Sequence, residues 1–116
     1  MRLFVAVLLL LCLVSATADF SLAEQLLSVK YRATPVDVDT PQFERLDTSE
    51  SSFVRGAWYD QSSQYMIINL NGTNYHYCGL DTQTWSDFKA AESFGKSFNA
   101  RIKGRFDCRH TPAPVY

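Results

Sequence analysis

The sequence predicts a small α+β domain: a three-stranded antiparallel β-meander followed by two helices, in the order β-β-β-α-α. Three observations carry that expectation. Asn71-Gly72, a strong short hairpin signal, sits between two runs with strand composition. Asp60-Gln61-Ser62-Ser63 is a turn cluster that joins the first of these runs to an aromatic, β-branched stretch before it. Beyond the hairpin, Trp85, Phe88 and Ala91 recur three apart, the spacing of one helix face.

The chain opens with a different pattern. Arg2 places a positive charge ahead of an unbroken apolar run from Leu3 to Val14, and Ala16-Thr17-Ala18 then offers small residues before Asp19. Charge, short apolar run and small-residue exit together read as a secretory signal peptide over residues 1–18, cleaved after Ala18. A membrane span needs roughly 18 or more apolar residues, so an uncleaved anchor is the weaker alternative and no stable span is expected after cleavage. A lipid-anchored Cys12 is disfavoured by Leu11, which stands where a small residue is needed. The expected location is therefore outside the cytoplasm, periplasmic or secreted.

Residues 19–50 read as a lead-in segment. Leu22, Leu26, Leu27 and Val29 offer one weak helix face, Pro35 and Pro41 impose extended or turn geometry around Val36-Asp37-Val38-Asp39, and Thr48-Ser49-Glu50-Ser51 closes the segment as a polar loop. The domain proper is expected over 51–108. Its strands are Phe53 to Tyr59, Tyr65 to Leu70 and Thr73 to Cys78. A two-residue turn at Asn71-Gly72 sets Leu70 opposite Thr73, Ile68 opposite Tyr75 and Met66 opposite Tyr77. Opposed residues share a face. Met66, Ile68, Leu70, Tyr75 and Tyr77 therefore form the more apolar, core-facing side, and Tyr65, Ile67, His76 and Cys78 form the other.

A first helix is expected from a cap at Asp81 or Thr84 to about Ser93, ended by Gly95. A second runs roughly from Lys96 to Lys103, with Phe98 and Ile102 on its buried side and Phe106 packing as the chain leaves it. Residues 109–116, with Thr111-Pro112-Ala113-Pro114, read as a flexible tail.

Without the leader and its Arg2, ten Lys/Arg stand against twelve Asp/Glu, a net charge near −2. That balance argues against a general polyanion binder. The charge is uneven. Seven acids in 19–50 face Lys30, Arg32 and Arg45, whereas Lys96, Arg101, Lys103, Arg105 and Arg109 in 95–116 face Asp107 alone. Two oppositely charged solvated faces are the ordinary meaning of such asymmetry.

Ser51-Ser52-Phe53-Val54, Tyr59-Asp60, Gly72 followed by Tyr75-His76-Tyr77, then Ala91, Ser93, Gly95, Phe98-Asn99 and Ile102 fall in the order and spacing of the KTSC domain. The chain resembles that family over about residues 51–106. The family takes its name from a C-terminal extension of some lysyl-tRNA synthetases and also occurs alone in bacterial proteins. Its central mark is a Tyr-x-Tyr motif, here Tyr75 and Tyr77. Asp81 departs from the pattern, where proline is usual, as do Trp85 and Phe88, where smaller aliphatics are common. The resemblance implies a fold, a stand-alone bacterial form and, from the synthetase context, a hint of RNA binding.

Four constellations could carry chemistry. With Cys12 lost, Cys78 and Cys108 are an even pair in an oxidising compartment, and a disulfide is expected. Closing such a loop is worth roughly 3–4 kcal/mol in the chain-entropy account. The alternative is a zinc set, because His76-Tyr77-Cys78 and Cys108-Arg109-His110 each place a His two residues from a Cys. Otherwise His76 is a sheet-surface residue and His110 a tail residue. Tyr75 and Tyr77, with Arg101, Lys103 and Arg105 for phosphates, could form a stacking platform for RNA or single-stranded DNA. Their register on the apolar face favours packing beneath the first helix instead. Catalysis has little support: a Cys78–His76 pair requires a reduced thiol, so no enzyme, no catalytic residue and no cofactor are expected. The leading expectation is a non-enzymatic exported domain that binds a macromolecule of the cell envelope or exterior, with nucleic acid second and a metal-binding or thiol-active protein third.

Overall fold

The structure is a computed structural model that describes residues 25–116. The leader, its cleavage site at Ala18 and Leu22 lie outside the described residues. Six strands and two helical segments follow in chain order. They are β1 (Leu26–Leu27), β2 (Val36–Asp37), β3 (Glu44–Leu46), β4 (Val54–Asp60), β5 (Tyr65–Leu70), β6 (Thr73–Tyr77), α1 (Thr82–Lys89) and α2 (Phe94–Ser97), the last running into a π-helical turn at Phe98–Ile102. All pairing is antiparallel, and the order is β1-β2 in a two-stranded ribbon and β3-β4-β5-β6 in the main sheet. The α+β class holds, but the expected three-stranded meander is a four-stranded sheet with a ribbon beside it. Among the described residues no helix is long and apolar enough to cross a membrane.

The hairpin adopts the expected register, with Leu70 opposite Thr73, Ile68 opposite Tyr75 and Met66 opposite Tyr77. Asn71 and Gly72 both have positive φ, 55° and 103°, as a type I′ turn requires. Asp60 organises the preceding turn: its Oδ1 accepts from the Ser62 N–H at 3.0 Å and the Ser63 N–H at 3.3 Å. β4 bulges between Val54 and Gly56, leaving Arg55 exposed while the rest of the strand is buried.

The extra strand β3 corrects the expectation for the lead-in, and β4 explains it. A strand buried along nearly its whole length cannot leave its outer N–H and C=O groups unpaired. Glu44, Arg45 and Leu46 pair with Tyr59, Trp58 and Ala57 and satisfy them. The expected helix face at Leu26 and Leu27 is likewise replaced by a strand. The inward residues are Leu27 and Val29, then Val36 and Val38, whereas Leu26 is 57% exposed. That is period two, not the helical period.

Both faces of the main sheet are therefore covered. The helices cover one, over Met66 and Ile68, with Trp85, Phe88, Phe98 and Ile102 completing the core and Leu70, Tyr75 and Tyr77 at its margin. The lead-in covers the other, setting Val29, Val36, Val38 and Phe43 against Trp58, Tyr65, Ile67 and Cys78. Burying one such large side chain contributes about 1.5–3 kcal/mol. Bare Trp58, Tyr65 and Ile67 would thus forgo an amount comparable with the net stability of a small domain, about 5–15 kcal/mol.

Helix α1 starts where expected, on Asp81, whose carboxylate accepts from the Thr84 N–H at 3.3 Å and its hydroxyl at 2.7 Å. It ends earlier than expected, at Lys89, because Ser93 caps a new helix by accepting from the Lys96 N–H at 3.2 Å. Gly95 lies inside α2 and does not terminate α1. A side chain there would meet the Phe53 ring, 3.4 Å from an ideal Cβ. Cys78 and Cys108 form a disulfide across 30 residues, with Cα atoms 4.8 Å apart. The tail carries no helix or strand, yet it lies against the sheet. The Tyr116 hydroxyl donates to Asp60 Oδ2 at 2.6 Å, and its ring sits 5.2 Å from that of Phe43.

Candidate functional site

Strand β6 is an outer strand of the main sheet. In a two-residue hairpin Leu70/Thr73, Ile68/Tyr75 and Met66/Tyr77 exchange the ladder hydrogen bonds, so the main-chain groups of Asn74, His76 and Cys78 point outward. Two distant segments close this edge. The Lys30 N–H donates to the Asn74 carbonyl at 2.8 Å, and the Cys78 N–H donates to the Phe106 carbonyl at 2.8 Å. Asn74 Nδ2 reinforces the first closure through the Ser28 carbonyl at 3.1 Å, and the disulfide reinforces the second. Among the described residues nothing pairs with the N–H or C=O of His76, midway between them.

A solvent-open groove of about 780 Å³ lies over that gap. Tyr31, Arg32 and Ala33 form one wall, Tyr75, His76 and Tyr77 the floor, and Gly104, Arg105, Asp107, Cys108, Arg109 and Ala113 the opposite side. Tyr31 is 83% exposed. Lys30 Nζ stands 5.3 Å from the Tyr31 ring centroid and 5.5 Å from that of Tyr75, at cation–π range. Three arginines of the lining face one carboxylate, Asp107, which hydrogen bonds from Arg109 hold down at about 2. Asp107 and Arg109 pair at 2.6 Å, which leaves Arg32 and Arg105 to set the sign of the groove.

The His76 side chain is turned to the lead-in face. Its Nδ1 lies 2.8 Å from the Tyr65 hydroxyl, which also receives Arg32 at 3.4 Å. The direction of this hydrogen bond follows the imidazole tautomer: the hydroxyl donates when Nδ1 is unprotonated and accepts when Nδ1 carries the hydrogen. Burial lowers the His76 pKa, the Arg32 charge lowers it further, and Asp107 opposes both. His76 is thus half-buried and partnered, not the plain sheet-surface residue expected.

Of the binding residues expected from sequence, Tyr75, Tyr77 and Arg105 meet in this groove. Arg101 and Lys103 are not part of its lining. Arg101 points to Asp87, 3.8 Å away. The tyrosines margin the helix-side core, as their register implied, and also line the groove. Tyr77 packs edge-on to Phe98 at 5.7 Å, and burial raises its pKa. The zinc set His76, Cys78, Cys108 and His110 is not assembled, because a disulfide occupies the sulfurs that zinc would need as thiolates. The same bond removes the thiol that a Cys78–His76 nucleophile would need. Among the described residues no group of three His, Cys, Asp or Glu side chains could hold a metal ion. Sequence reasoning missed Tyr31, Arg32 and Arg109. The Lys30-Tyr31-Arg32 run was an available signal, an aromatic flanked by cations in an otherwise acidic segment.

Comparison with known proteins places these elements. The KTSC domain family matches residues 50–106, which span β4 to the π-helical turn. A protein of Tsukamurella paurometabola, described only as "Protein", is 34% identical over 58 residues, covering 49% of this chain and 87% of that one. No solved structure matches. The Tyr-x-Tyr strand, the helix pair over it and these similarities agree: the chain belongs to the KTSC domain family.

Proposed function

We propose that this protein is an exported, non-enzymatic KTSC domain that binds an anionic macromolecular partner through the groove beside β6. One observation carries the reading: Tyr75 and Tyr77 line the same groove as Arg32 and Arg105, with Asp107 already paired to Arg109. Aromatic floor and cationic walls suit an anionic chain better than a small neutral molecule. The charge and small-residue pattern of residues 1–18 supports export, and so does the disulfide, a bond typical of oxidising compartments. Intact mass of the exported protein should begin at Asp19; a retained leader overturns export.

A second reading, single-stranded nucleic acid, is favoured by Tyr75, Tyr77 and Arg105 sharing the groove. Both readings require local attraction of polyanions despite a slightly acidic chain. Chromatography on heparin and on single-stranded DNA tests that attraction. The protein should be retained at low ionic strength and released by moderate salt, since exposed charge contacts are screened. Arg105→Ala, alone and with Arg32→Ala, should abolish retention while preserving the melting curve. No retention of the parent protein, or equal retention of the Arg105→Ala variant, overturns the proposal.

A further inference from the structure

We infer that the groove takes an extended acidic peptide as a short added strand, hydrogen-bonded to the main-chain N–H and C=O of His76. The inference rests on the groove being the binding surface, and it assigns the chemical class of the partner. An outer strand presents a row of unpaired donors and acceptors that templates another chain, and proteins ordinarily cover it. Here the chain covers β6 at Asn74 with Lys30 and at Cys78 with Phe106, and leaves His76 open among the described residues. The opening spans about 13 Å, four residues of strand rise. It therefore admits roughly three residues of added strand, and longer pairing is blocked at both ends. That limit also protects against uncontrolled edge-to-edge association.

Strand geometry fixes what the added residues meet. A residue opposite His76 points its side chain to the His76 face, where Arg32 lies against Tyr65. Its two neighbours point to the other face, toward Tyr75 and Tyr77. An acidic central residue flanked by apolar ones matches these surroundings, and acids at either end reach the cationic rim at Arg105. A nucleic acid matches them less well. It has no alternating N–H and C=O at strand spacing for His76. The Tyr77 ring is packed against Phe98, and Lys30 stands over Tyr75, so the pair does not offer two open stacking faces.

The test is an NMR titration of the oxidised, 15N-labelled protein with the pentapeptide acetyl-Asp-Val-Glu-Val-Asp-amide. Saturable binding should move the His76 amide downfield and slow its exchange with solvent. The same peptide methylated on the central Glu nitrogen loses the donor for the His76 carbonyl and should bind about tenfold more weakly. Equal binding by the methylated peptide overturns strand addition while leaving the anionic groove intact. If a ten-nucleotide oligothymidylate shifts the groove residues and the peptide does not, the peptide assignment falls and the nucleic-acid reading replaces it. If neither probe shifts a groove residue, strand addition and the proposed function fail together.

Discussion

Asp60 is a carboxylate almost wholly enclosed, 1% exposed, and its oxygens are occupied. Gln42 Nε2 donates to it at 3.0 Å, the Ser62 hydroxyl at 2.8 Å and the Tyr116 hydroxyl at 2.6 Å. Burial alone would raise its pKa; the hydrogen bonds from Tyr116, Ser62 and Ser63 outweigh burial and lower it. Hydrogen bonds to a charged group are worth about 1.5–3 kcal/mol where their loss leaves a buried partner stranded. Asp60→Ala should cost about 2–3 kcal/mol in urea unfolding, and Tyr116→Phe about 1 kcal/mol. The folded pKa is below the unfolded value, so this stability is complete above about pH 4 and is lost as pH falls through the folded pKa. His76 is depressed too, so its contribution is complete above its unfolded value of 6.5 and declines as pH falls below it. Unfolding measured between pH 7.5 and 5 should show that decline in the parent protein. His76→Gln should remove it, and an identical slope in the variant would contradict the assignment.

At the scale of elements, distant segments meet around β6. Glu44 of β3 shows how such docking works: it accepts from Trp85 Nε1 at 3.0 Å and pairs with Lys89 at 2.7 Å, fastening the outer strand to α1. Trp85 in turn stacks on Tyr59, with ring centroids 4.9 Å apart, and the Tyr59 hydroxyl donates to the Leu80 carbonyl at 2.6 Å. The large aromatics Trp85 and Phe88 therefore build the contact between α1 and the sheet. The disulfide does the equivalent work for the far wall of the groove. Cys78→Ser with Cys108→Ser should lower stability by roughly 3–4 kcal/mol on the loop-closure account. It should also weaken retention on heparin, because residues 104–109 lose their tether to β6. A variant that melts lower yet binds as before would separate the disulfide from the groove.

At the scale of the molecule, the region matched by the family ends short of what this chain folds. Residues 50–106 contain β4 to β6 and the helices, but Val29, Val36, Val38 and Phe43 lie ahead of them. Removing residues 25–49 would bare Trp58, Tyr65 and Ile67 and leave the outer groups of β4 unpaired. We expect the shortened protein to self-associate and lose its near-ultraviolet aromatic signal. Sedimentation and circular dichroism check this, and a monomer with cooperative melting would show that the lead-in is dispensable.

Local chemistry explains what could be read from the chain alone. Asn71-Gly72 set the hairpin register, Asp81 placed the start of α1, and two cysteines in the predicted exported chain pointed to their bond; each is an interaction between near neighbours or an elimination among few partners. The family was legible in the order and spacing of residues from Ser51-Ser52-Phe53-Val54 to Ile102, with Tyr75 and Tyr77 at the centre. The second covered face had a visible trace in Tyr65-Met66-Ile67-Ile68, four consecutive buried residues that a one-sided sheet would not need. Its cover was legible only as the extended Val36-Asp37-Val38-Asp39 run, because pairing β3 with β4 and setting the lead-in valines against the far face of the sheet are long-range choices that three or fewer residues per element cannot encode. The groove depends on the same choices. Arg32 and Arg105 share it only because two segments more than seventy residues apart close opposite ends of one strand, and the opening at His76 exists only where those closures stop.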